Sequence, residues 1–341
     1  MFKGRGALLS ILTLTILAAV PAGAQASTSR EVKILGGAEA APGQFPWMAA
    51  LVDVDARNAA DGIFCGGTVV APRVILTAGH CVQGTTADQF DVVVGRTRLS
   101  RSSDGERVGV SQIVRAPGWN SSTLVNDAAL VQLDAPVSVT PLALAGAGDA
   151  AREATGQSVI VSGWGATSEG GNVSDTLKYV RLTVRSTSKC NALFGNINGS
   201  RQLCVGSSRA GEDSCQGDSG GPLFFGDGAA ARLVGIVSFG DGCGRQDTPG
   251  VYTRVSAYTS WITEEAAMLN GGTPEPTPTP TPTPSTKKPT VRIGKISCNY
   301  SCTVTLKVTG REPAGGIVLN VVRKKTKTRK GVDRFVLAKK S

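Results

Sequence analysis

The sequence is poor in side chains that bind metals, because it has one histidine, His80, among 341 residues. Structural zinc sites combine several closely spaced cysteine and histidine ligands. Only Cys298 and Cys302 are that close together, and His80 stands beside Cys81 with no ligand-type repeat around it. We therefore expect no metal site and no cofactor.

Long hydrophobic runs are scarce as well. One apolar run, at residues 7–20, follows Lys3 and Arg5 and precedes small residues up to Ala26. A bilayer-spanning helix needs roughly 20 apolar residues, so this run fits a signal peptide better than a membrane anchor. No later segment approaches that length. We expect residues 1–26 to be a signal peptide and the mature protein to be secreted, without a membrane span.

The charge is unevenly distributed along the chain. The net charge is +10, yet residues 287–341 carry 15 Lys+Arg and 2 Asp+Glu, so the remainder sums to −3. The basic run at residues 323–330 suggests a contact with an anionic cell-wall polymer, polysaccharide or nucleic acid. A solvated basic face is the alternative, because no aromatic side chains stand between the charges to stack on bases.

Short apolar segments rich in β-branched residues, separated by Gly, Pro, Asn and Asp, predict an all-β barrel or sandwich. These segments are residues 69–76, 90–94, 130–133, 159–161, 233–239 and 250–255. One helix is predicted near the end of this region, where apolar side chains recur at helical spacing before Gly271. They are Tyr258, Ile262, Ala266 and Leu269.

A Thr/Pro-rich linker, residues 271–289, divides the chain. Its alternating Thr and Pro residues favour extended polyproline II, about 3.1 Å per residue, and cannot form a core. Residues 290–341 are expected to form a small basic β-rich module, in which Cys298 and Cys302 form a disulfide in a tight loop. Its strands are predicted at residues 291–296, 302–308 and 317–322.

The stretch with the most specific chemistry is residues 213–222, DSCQGDSGGP. Serine needs an adjacent base to act as a nucleophile, and a developing oxyanion needs preorganised backbone N–H groups, which the glycines around Ser219 allow. The same residues also fit the G-x-S-x-G elbow of α/β-hydrolases. In that fold the histidine follows the serine, whereas no histidine follows His80 here. Chain order therefore decides against the α/β-hydrolase fold.

A general base that titrates near neutrality must be His80, the one histidine available. An inconsequential surface or core histidine is the alternative. The carboxylate that orients the imidazole is predicted to be Asp127, just ahead of a strand. A capping or turn aspartate is the alternative for Asp127.

Four motifs occur in the order ILGG at residues 34–37, TAGHC at 77–81, DAAL at 127–130 and GDSGGP at 217–222. Together they make residues 34–270 resemble the trypsin/chymotrypsin family of serine proteases, in its trypsin-like, secreted bacterial form. The resemblance implies two packed six-stranded antiparallel β-barrels, a C-terminal helix and a site in the cleft between the barrels. It also implies a serine endopeptidase that works through an acyl-enzyme.

By the same resemblance, Ser219, His80 and Asp127 are the catalytic residues, and the N–H groups of Gly217 and Ser219 form the oxyanion hole. A catalytically inactive homologue used for binding is the alternative, although such homologues usually lack one of the three. The implied disulfides are Cys65–Cys81, Cys190–Cys204 and Cys215–Cys243.

Substrate preference is inferred from Asp213, six residues before Ser219, where trypsin-like members place a pocket carboxylate. Such a carboxylate pairs with substrate Lys or Arg. Ser238, Gly240 and Gly250 complete the implied substrate-binding set, and the two glycines leave room for a long side chain. We expect a monomer that cleaves protein or peptide substrates after Lys and Arg. A solvated loop aspartate is the alternative for Asp213.

The resemblance also implies activation by cleavage after Lys33, which makes residues 27–33 an activation propeptide. The freed ammonium of Ile34 would pair with Asp218 and order the oxyanion loop. Lys33 itself suits a trypsin-type cut, so self-activation is a hypothesis. In animal trypsins a glutamate of the calcium loop stands where Arg96 stands here, and a positive charge repels a cation. We expect no calcium at that place.

Overall fold

The computed structural model describes residues 36–271 and, further along the chain, the backbone of four strands. Lys33 and Ile34 lie outside the described residues, as do the predicted signal peptide and residues 272–289. The described residues divide into two units, with residues 36–270 in the first and the four later strands in the second.

The first barrel is a closed antiparallel sheet of six strands, β2 to β7, joined in the order β2-β3-β4-β7-β6-β5. A short strand β1, Ala38–Glu39, precedes it. The barrel strands are Met48–Asp53, Ile63–Ala71, Val74–Thr77, Phe90–Val94, Glu106–Arg115 and Ala129–Leu133.

The apolar segment at residues 69–76 forms a hairpin rather than one strand. It contains the end of β3, a turn at Pro72 and Arg73, and the start of β4, with Ala71 paired to Val74. Proline has no N–H to donate to a ladder, so the strand cannot continue through Pro72. The segment was therefore interpreted correctly as β structure, and the turn within it was not predicted.

The second barrel is formed by β8 to β13, again all antiparallel. The strands run in the order β9-β10-β13-β12-β11-β8, and pairing of β8 with β9 closes the barrel. The short strand β1 also pairs with β9. The strands are Ser158–Gly163, Lys178–Arg185, Gln202–Gly206, Pro222–Phe225, Arg232–Phe239 and Gly250–Arg254. The predicted fold of two six-stranded barrels is confirmed.

Within residues 36–271, three α-helices accompany the barrels, namely α1 (Ala59–Gly62), α2 (Thr187–Phe194) and α3 (Thr259–Leu269). Helix α3 buries Ile262, Ala266 and Leu269, so the helix predicted from that spacing is confirmed. Helix α2 was not predicted, because it buries a single residue, Cys190, and so lacks an apolar period. Across residues 36–271 and the four later strands, no helix is long and apolar enough to cross a membrane.

The barrels meet at a cluster of aromatic side chains. Phe45 and Trp47, just before β2, contact Phe224 of β11 with ring centroids 5.3 and 5.4 Å apart. Phe45 also lies edge-on to Tyr179 of β9 at 5.3 Å. Edge-on aromatic contacts of this kind contribute about 0.5–1.5 kcal/mol each beyond area burial. They fix the two barrels against each other, and with them the walls of the cleft between them.

The part of the second unit that the structure describes consists of four strands in two antiparallel pairs. They are β14 (Thr290–Cys298) with β15 (Cys302–Thr309), and β16 (Val318–Val322) with β17 (Val332–Val336). Three of them correspond to predicted strands, and β17 was not predicted. The backbone register places Cys298 opposite Cys302. Their side chains lie outside the described residues, so the disulfide stays a prediction.

Candidate active site

His80 and Asp127 meet at the edge of the first barrel. His80 begins a short 3₁₀ turn, His80–Val82, just after β4, and Asp127 immediately precedes the chain into β7. Because β4 and β7 are neighbours in the barrel, the two residues lie side by side. Asp127 Oδ2 lies 2.7 Å from Nδ1 of His80, and Oδ1 accepts from the backbone N–H of His80 at 2.8 Å.

The carboxylate of Asp127 is fully buried, whereas the imidazole of His80 is 26% exposed. Two hydroxyl groups of the second barrel bind Asp127. Ser238 Oγ donates to Oδ2 at 2.5 Å, and Thr253 Oγ1 donates to the backbone oxygen at 2.7 Å. Contacts from both barrels thus hold Asp127, which in turn binds Nδ1 of His80. The other ring nitrogen, Nε2, lies 3.7 Å from the disulfide-bonded Sγ of Cys81, which has no proton to exchange, so Nε2 can exchange a proton with a reacting group.

Ser219 lies in the loop between β10 and β11, at the junction of the barrels. Its carbonyl oxygen accepts from Gly66 of β3 at 2.7 Å, and the next N–H, of Gly220, donates to Val237 of β12 at 2.9 Å. Within residues 36–271, no hydrogen bond joins Ser219 Oγ to His80 Nε2. Such bonds are often long in the absence of substrate and tighten when it binds.

The backbone around Ser219 has a conformation that only glycine adopts easily. Gly217 and Gly220 have φ of 93° and 80°. A Cβ on Gly220 would also lie 2.5 Å from the carbonyl oxygen of Gly66. The N–H groups of Gly217 and Ser219 donate to no group in the described part of the chain, whereas that of Asp218 between them donates to Cys215. Two backbone donors beside the serine hydroxyl are therefore available to an oxyanion.

Three disulfides brace these loops. Cys65–Cys81 links β3 to the turn that carries His80, Cys215–Cys243 links the loop of Ser219 to the segment between β12 and β13, and Cys190–Cys204 links α2 to β10. These are the pairings that the family resemblance implies. Cys65, His80 and Cys81 also lie close enough together to suggest a metal site. The sulfur atoms of Cys65 and Cys81 are bonded to each other, however, and a cysteine binds a metal as a free thiolate.

A cavity of about 220 Å³ opens beside Ser219. Asp213 lies in its lining with its side chain buried, accepting hydrogen bonds from the N–H groups of Ser214 at 2.9 Å and Gly244 at 3.0 Å. Burial raises the pKa of Asp213 to about 6, against the opposing effect of these two bonds. Among the described residues no Lys or Arg pairs with it, so a buried carboxylate stands without a countercharge.

Gly240 and Gly250 stand opposite each other in the same cavity. A Cβ on Gly240 would lie 3.8 Å from the Cα of Gly250. Side chains here would fill the space between the two strand ends, whereas glycines leave it open. Ser238 also lines the cavity, although its hydroxyl is directed to Asp127. Tyr252 contributes a buried hydroxyl that lies 2.9 Å from Ser214 Oγ.

The family is decided by comparison with known proteins. A family model described as Trypsin matches residues 34–262. The chain belongs to the trypsin family. It is similar to Trypsin of Saccharopolyspora erythraea, with 37% identity over 239 residues, 70% of this chain and 99% of that protein. Trypsin-1 of Astacus astacus is 37% identical over 243 residues, 68% of this chain and 100% of that protein.

A longer relative, Serine protease 56 of Homo sapiens, is 36% identical over 250 residues, 71% of this chain and 40% of that protein. The inferred resemblance to the trypsin family is thus confirmed. The chain is a serine endopeptidase of the trypsin-like hydrolases, and its substrates are proteins or peptides.

A second buried carboxylate of this trypsin-family chain, Asp218, lies behind the nucleophile. Its oxygens accept from the N–H groups of Gly165 at 2.8 Å and Cys215 at 2.9 Å. Burial raises its pKa to about 6, and the nearby charge of Asp213 adds to the increase. A Cβ on Gly163 or Gly165 would collide with the carboxyl group of Asp218. The glycines therefore form a close-fitting chamber for this side chain.

Arg96 lies in the loop where animal trypsins bind calcium. Its guanidinium is buried and donates to the carbonyl oxygens of Asp104 at 2.7 Å and Leu99 at 3.0 Å. Burial lowers the pKa of Arg96, yet a guanidinium remains protonated in proteins. A positive charge that belongs to the chain itself thus binds the backbone oxygens of this loop.

A larger cavity, about 710 Å³, lies on the first barrel and does not contain Ser219. It is lined by Asp53, Phe64 and Cys81, among others. The active site lies at the smaller cavity, which is lined by Ser219 and the buried Asp213. Sequence reasoning did not find Thr253, which binds the carbonyl of Asp127, because an isolated threonine at the end of β13 carries no local signal.

Proposed function

We propose that this trypsin-family enzyme is secreted and hydrolyses peptide bonds after Lys and Arg. The observation that supports this preference is the buried carboxylate of Asp213, which has no countercharge, in a cavity that begins at Ser219. An unpaired buried charge is costly, and a substrate ammonium or guanidinium offsets that cost when it binds. The opposed Gly240 and Gly250 leave a passage for a long side chain to reach it.

In the proposed mechanism His80 removes the proton of Ser219 as its hydroxyl oxygen attacks the substrate carbonyl carbon. Asp127 holds the imidazole by Nδ1 and stabilises the imidazolium that forms. The N–H groups of Gly217 and Ser219 donate to the oxyanion, and each such donor contributes about 10²–10³-fold to kcat.

The tetrahedral intermediate collapses when His80 returns the proton to the leaving amine, and the carbon–nitrogen bond breaks. The acyl group remains on Ser219. Water then replaces the amine, gives a proton to His80 and attacks the ester carbon, which forms a second tetrahedral intermediate. When this intermediate collapses, the bond from the carbon to Ser219 Oγ breaks and His80 returns the proton to Oγ, so the free acid leaves and the serine is restored.

We further propose that the enzyme is made as a zymogen that is cleaved after Lys33. The ammonium of Ile34 then pairs with Asp218, whose chamber already lies behind the loop of Ser219. A cation in this chamber stabilises the charged form of a carboxylate whose pKa burial has raised to about 6. Pairing in turn orders the oxyanion donors on either side of Asp218.

Hydrolysis of short Arg, Lys and Phe esters tests the nucleophile and the pocket together. The protein is first verified to begin at Ile34, and each assay is run with and without a phosphonylating reagent directed at serine. We expect fast hydrolysis of the Arg and Lys esters and complete loss with the reagent. No activity in correctly started protein, or a preference for the Phe ester, would contradict the proposal.

Self-activation has its own test in Ser219→Ala. Expressed alone, this variant should keep residues 27–33, and added active enzyme should remove them. Maturation to Ile34 without added protease would show that another enzyme activates the chain.

We also propose that the enzyme is a monomer whose basic C-terminal module binds a polyanion. Its support is the +13 charge of residues 287–341. The full chain should be retained on an anionic polysaccharide matrix in a salt-sensitive way, and a chain without residues 273–341 should not. Light scattering tests the monomer, and a mass of two or more chains would contradict it.

A further inference from the structure

Backbone strain is concentrated just before Asp127. Leu124 and Asn126 have φ of 51° and 60°, which makes them two of the four non-glycine residues with positive φ in the described part of the chain. Such conformations persist only where surrounding contacts enforce them, and they gather at functional sites. Contacts with surrounding residues must therefore hold the backbone just before Asp127 in this conformation.

The side chain of Asn126 supplies those contacts. Its amide Nδ2 donates to the carbonyl oxygens of Pro117 at 3.2 Å and Gly118 at 2.8 Å. Its Oδ1 accepts from the hydroxyl of Tyr258 at 2.7 Å and from Nη1 of Arg201 at 3.2 Å. An asparagine side chain has two donor protons and two acceptor lone pairs, and all four are used.

The orientation of this amide follows from its partners. The atom facing Arg201 must be oxygen, because a guanidinium only donates, and the atom facing two carbonyl groups must be nitrogen. An aspartate at position 126 would therefore repel the carbonyl oxygens of Pro117 and Gly118. The site accepts asparagine and no isosteric acid.

The four bonds span the two barrels. Pro117 and Gly118 belong to the loop between β6 and β7 of the first barrel. Tyr258 is buried just before α3, and Arg201 lies just before β10 of the second barrel. The guanidinium of Arg201 also lies 5.5 Å from the centre of the Tyr258 ring, within the range of a cation–π interaction.

We propose that Asn126 is a positioning residue, which Arg201 and Tyr258 hold across the barrel interface so that Asp127 stays aligned with His80. This inference rests on the proposed roles of Ser219, His80 and Asp127. Asn126 itself touches neither substrate nor imidazole. It acts by fixing the peptide that carries the carboxylate.

Asn126→Gly tests the proposal, because glycine keeps the positive φ and removes all four bonds. A 1 Å misplacement of a catalytic group can cost roughly 10²-fold, so we expect kcat for an Arg ester to fall about 10–100-fold with KM within about twofold. The matched control is Asn196→Gly, at an exposed asparagine with φ of 48°, which should behave as the unaltered enzyme.

Proton NMR provides a readout that a merely structural role would not change. His80 is the one histidine in the chain, so the low-field signal of its Nδ1–H, hydrogen-bonded to a carboxylate, needs no further assignment. In Asn126→Gly this signal should move or broaden, and in Asn196→Gly it should not. A folded Asn126→Gly with unchanged kcat and unchanged signal would overturn the inference.

Tyr258→Phe tests the positioning role of Asn126 if Asn126→Gly does not fold. It removes one bond to Asn126 and keeps the ring beneath Arg201, so we expect kcat to fall several-fold and the signal to move in the same direction. Unchanged kcat and signal in Tyr258→Phe would overturn the proposal. Ser219→Ala separates the two claims: if it hydrolyses the ester as well as the unaltered enzyme, the proposed catalytic roles fail, whereas the NMR comparison still reports on the positioning of His80.

Discussion

Ser238 Oγ donates to Oδ2 of Asp127 across 2.5 Å, and the same carboxylate oxygen lies 2.7 Å from Nδ1 of His80. Ser238 belongs to β12, which ends at Phe239, and the next residue, Gly240, lies in the wall of the substrate cavity. One strand of the second barrel thus contacts the carboxylate of the first and also shapes the specificity pocket. Displacement of β12 would affect the catalytic residues and the pocket together.

The first prediction concerns that hydroxyl group. Ser238→Ala removes a hydrogen bond to a charged group, worth about 1.5–3 kcal/mol, and should lower kcat for an Arg ester by roughly 10–100-fold. Ser238→Thr keeps a hydroxyl and should recover most of the loss. Steady-state kinetics on the two variants measures the difference. Equal activity of Ser238→Ala and the unaltered enzyme would show that this bond does not support catalysis.

The fold and the main chemical groups could be predicted from the sequence because their signals are local. The period of Ile262, Ala266 and Leu269 predicted α3, and the glycines around Ser219 predicted a turned loop with free N–H donors. The turn at Pro72 was not predicted because only Pro72 and Arg73 separate the apolar residues on either side. In this case one residue that lacks an N–H outweighs the surrounding hydrophobic pattern.

The network around Asn126 could not be predicted in this way. Asn126 is separated from Arg201 and Tyr258 by 75 and 132 positions, and only the packing of two barrels brings them together. Asparagine before Asp127 reads locally as an ordinary turn residue. The lack of a basic partner for Asp213 could not be predicted either, because a sequence does not show which aspartates form ion pairs with Lys or Arg in the folded chain.

The second prediction is a change of substrate preference in Asp213→Asn. Removing one partner of a buried charge pair costs about 2–5 kcal/mol, so kcat/KM for Lys and Arg esters should fall by roughly 30- to 5,000-fold. The Phe ester should change much less, because it gains nothing from the carboxylate. Parallel loss on all three esters would indicate damage to the catalytic residues rather than to the pocket.

The third prediction concerns the pH dependence of cation binding. The folded pKa of Asp213 is about 6, above the usual value near 4 of an unfolded aspartate. With an empty pocket, the folded protein therefore binds this proton more tightly than the unfolded chain does. The resulting increase in the free energy of unfolding is complete below about pH 4 and is lost as the pH rises through about 6. A bound amidinium favours the carboxylate instead. Benzamidine should bind progressively more weakly as the pH falls below about 6.

Inhibition constants between pH 4.5 and 8 would measure this effect. Benzamide, which is similar in shape and uncharged, serves as the matched ligand and should lack the pH-dependent part. If Asp213→Asn keeps the pH dependence of benzamidine binding, a group other than Asp213 is responsible.

The fourth prediction concerns the width of the pocket. In Gly240→Val the new side chain begins 3.8 Å from the Cα of Gly250 and should close the passage. Crowding of this kind costs typically 1–3 kcal/mol, so KM for Arg esters should rise roughly 5–100-fold. An Ala ester should be much less affected. Gly148→Val, at a glycine with open space around it, is the matched control and should leave both esters unchanged.

The last prediction concerns Arg96, whose buried guanidinium donates to the carbonyl oxygens of Leu99 and Asp104. In Arg96→Met both oxygens lose their donors, which should lower the free energy of unfolding by about 1–3 kcal/mol. Arg98→Met, at an exposed position of the same loop, should have little effect. Thermal unfolding is best measured in a Ser219→Ala background, where self-digestion cannot occur. Because Arg96 itself provides the positive charge, a calcium chelator should leave Tm unchanged, and a Tm that falls with chelator would contradict this role of Arg96.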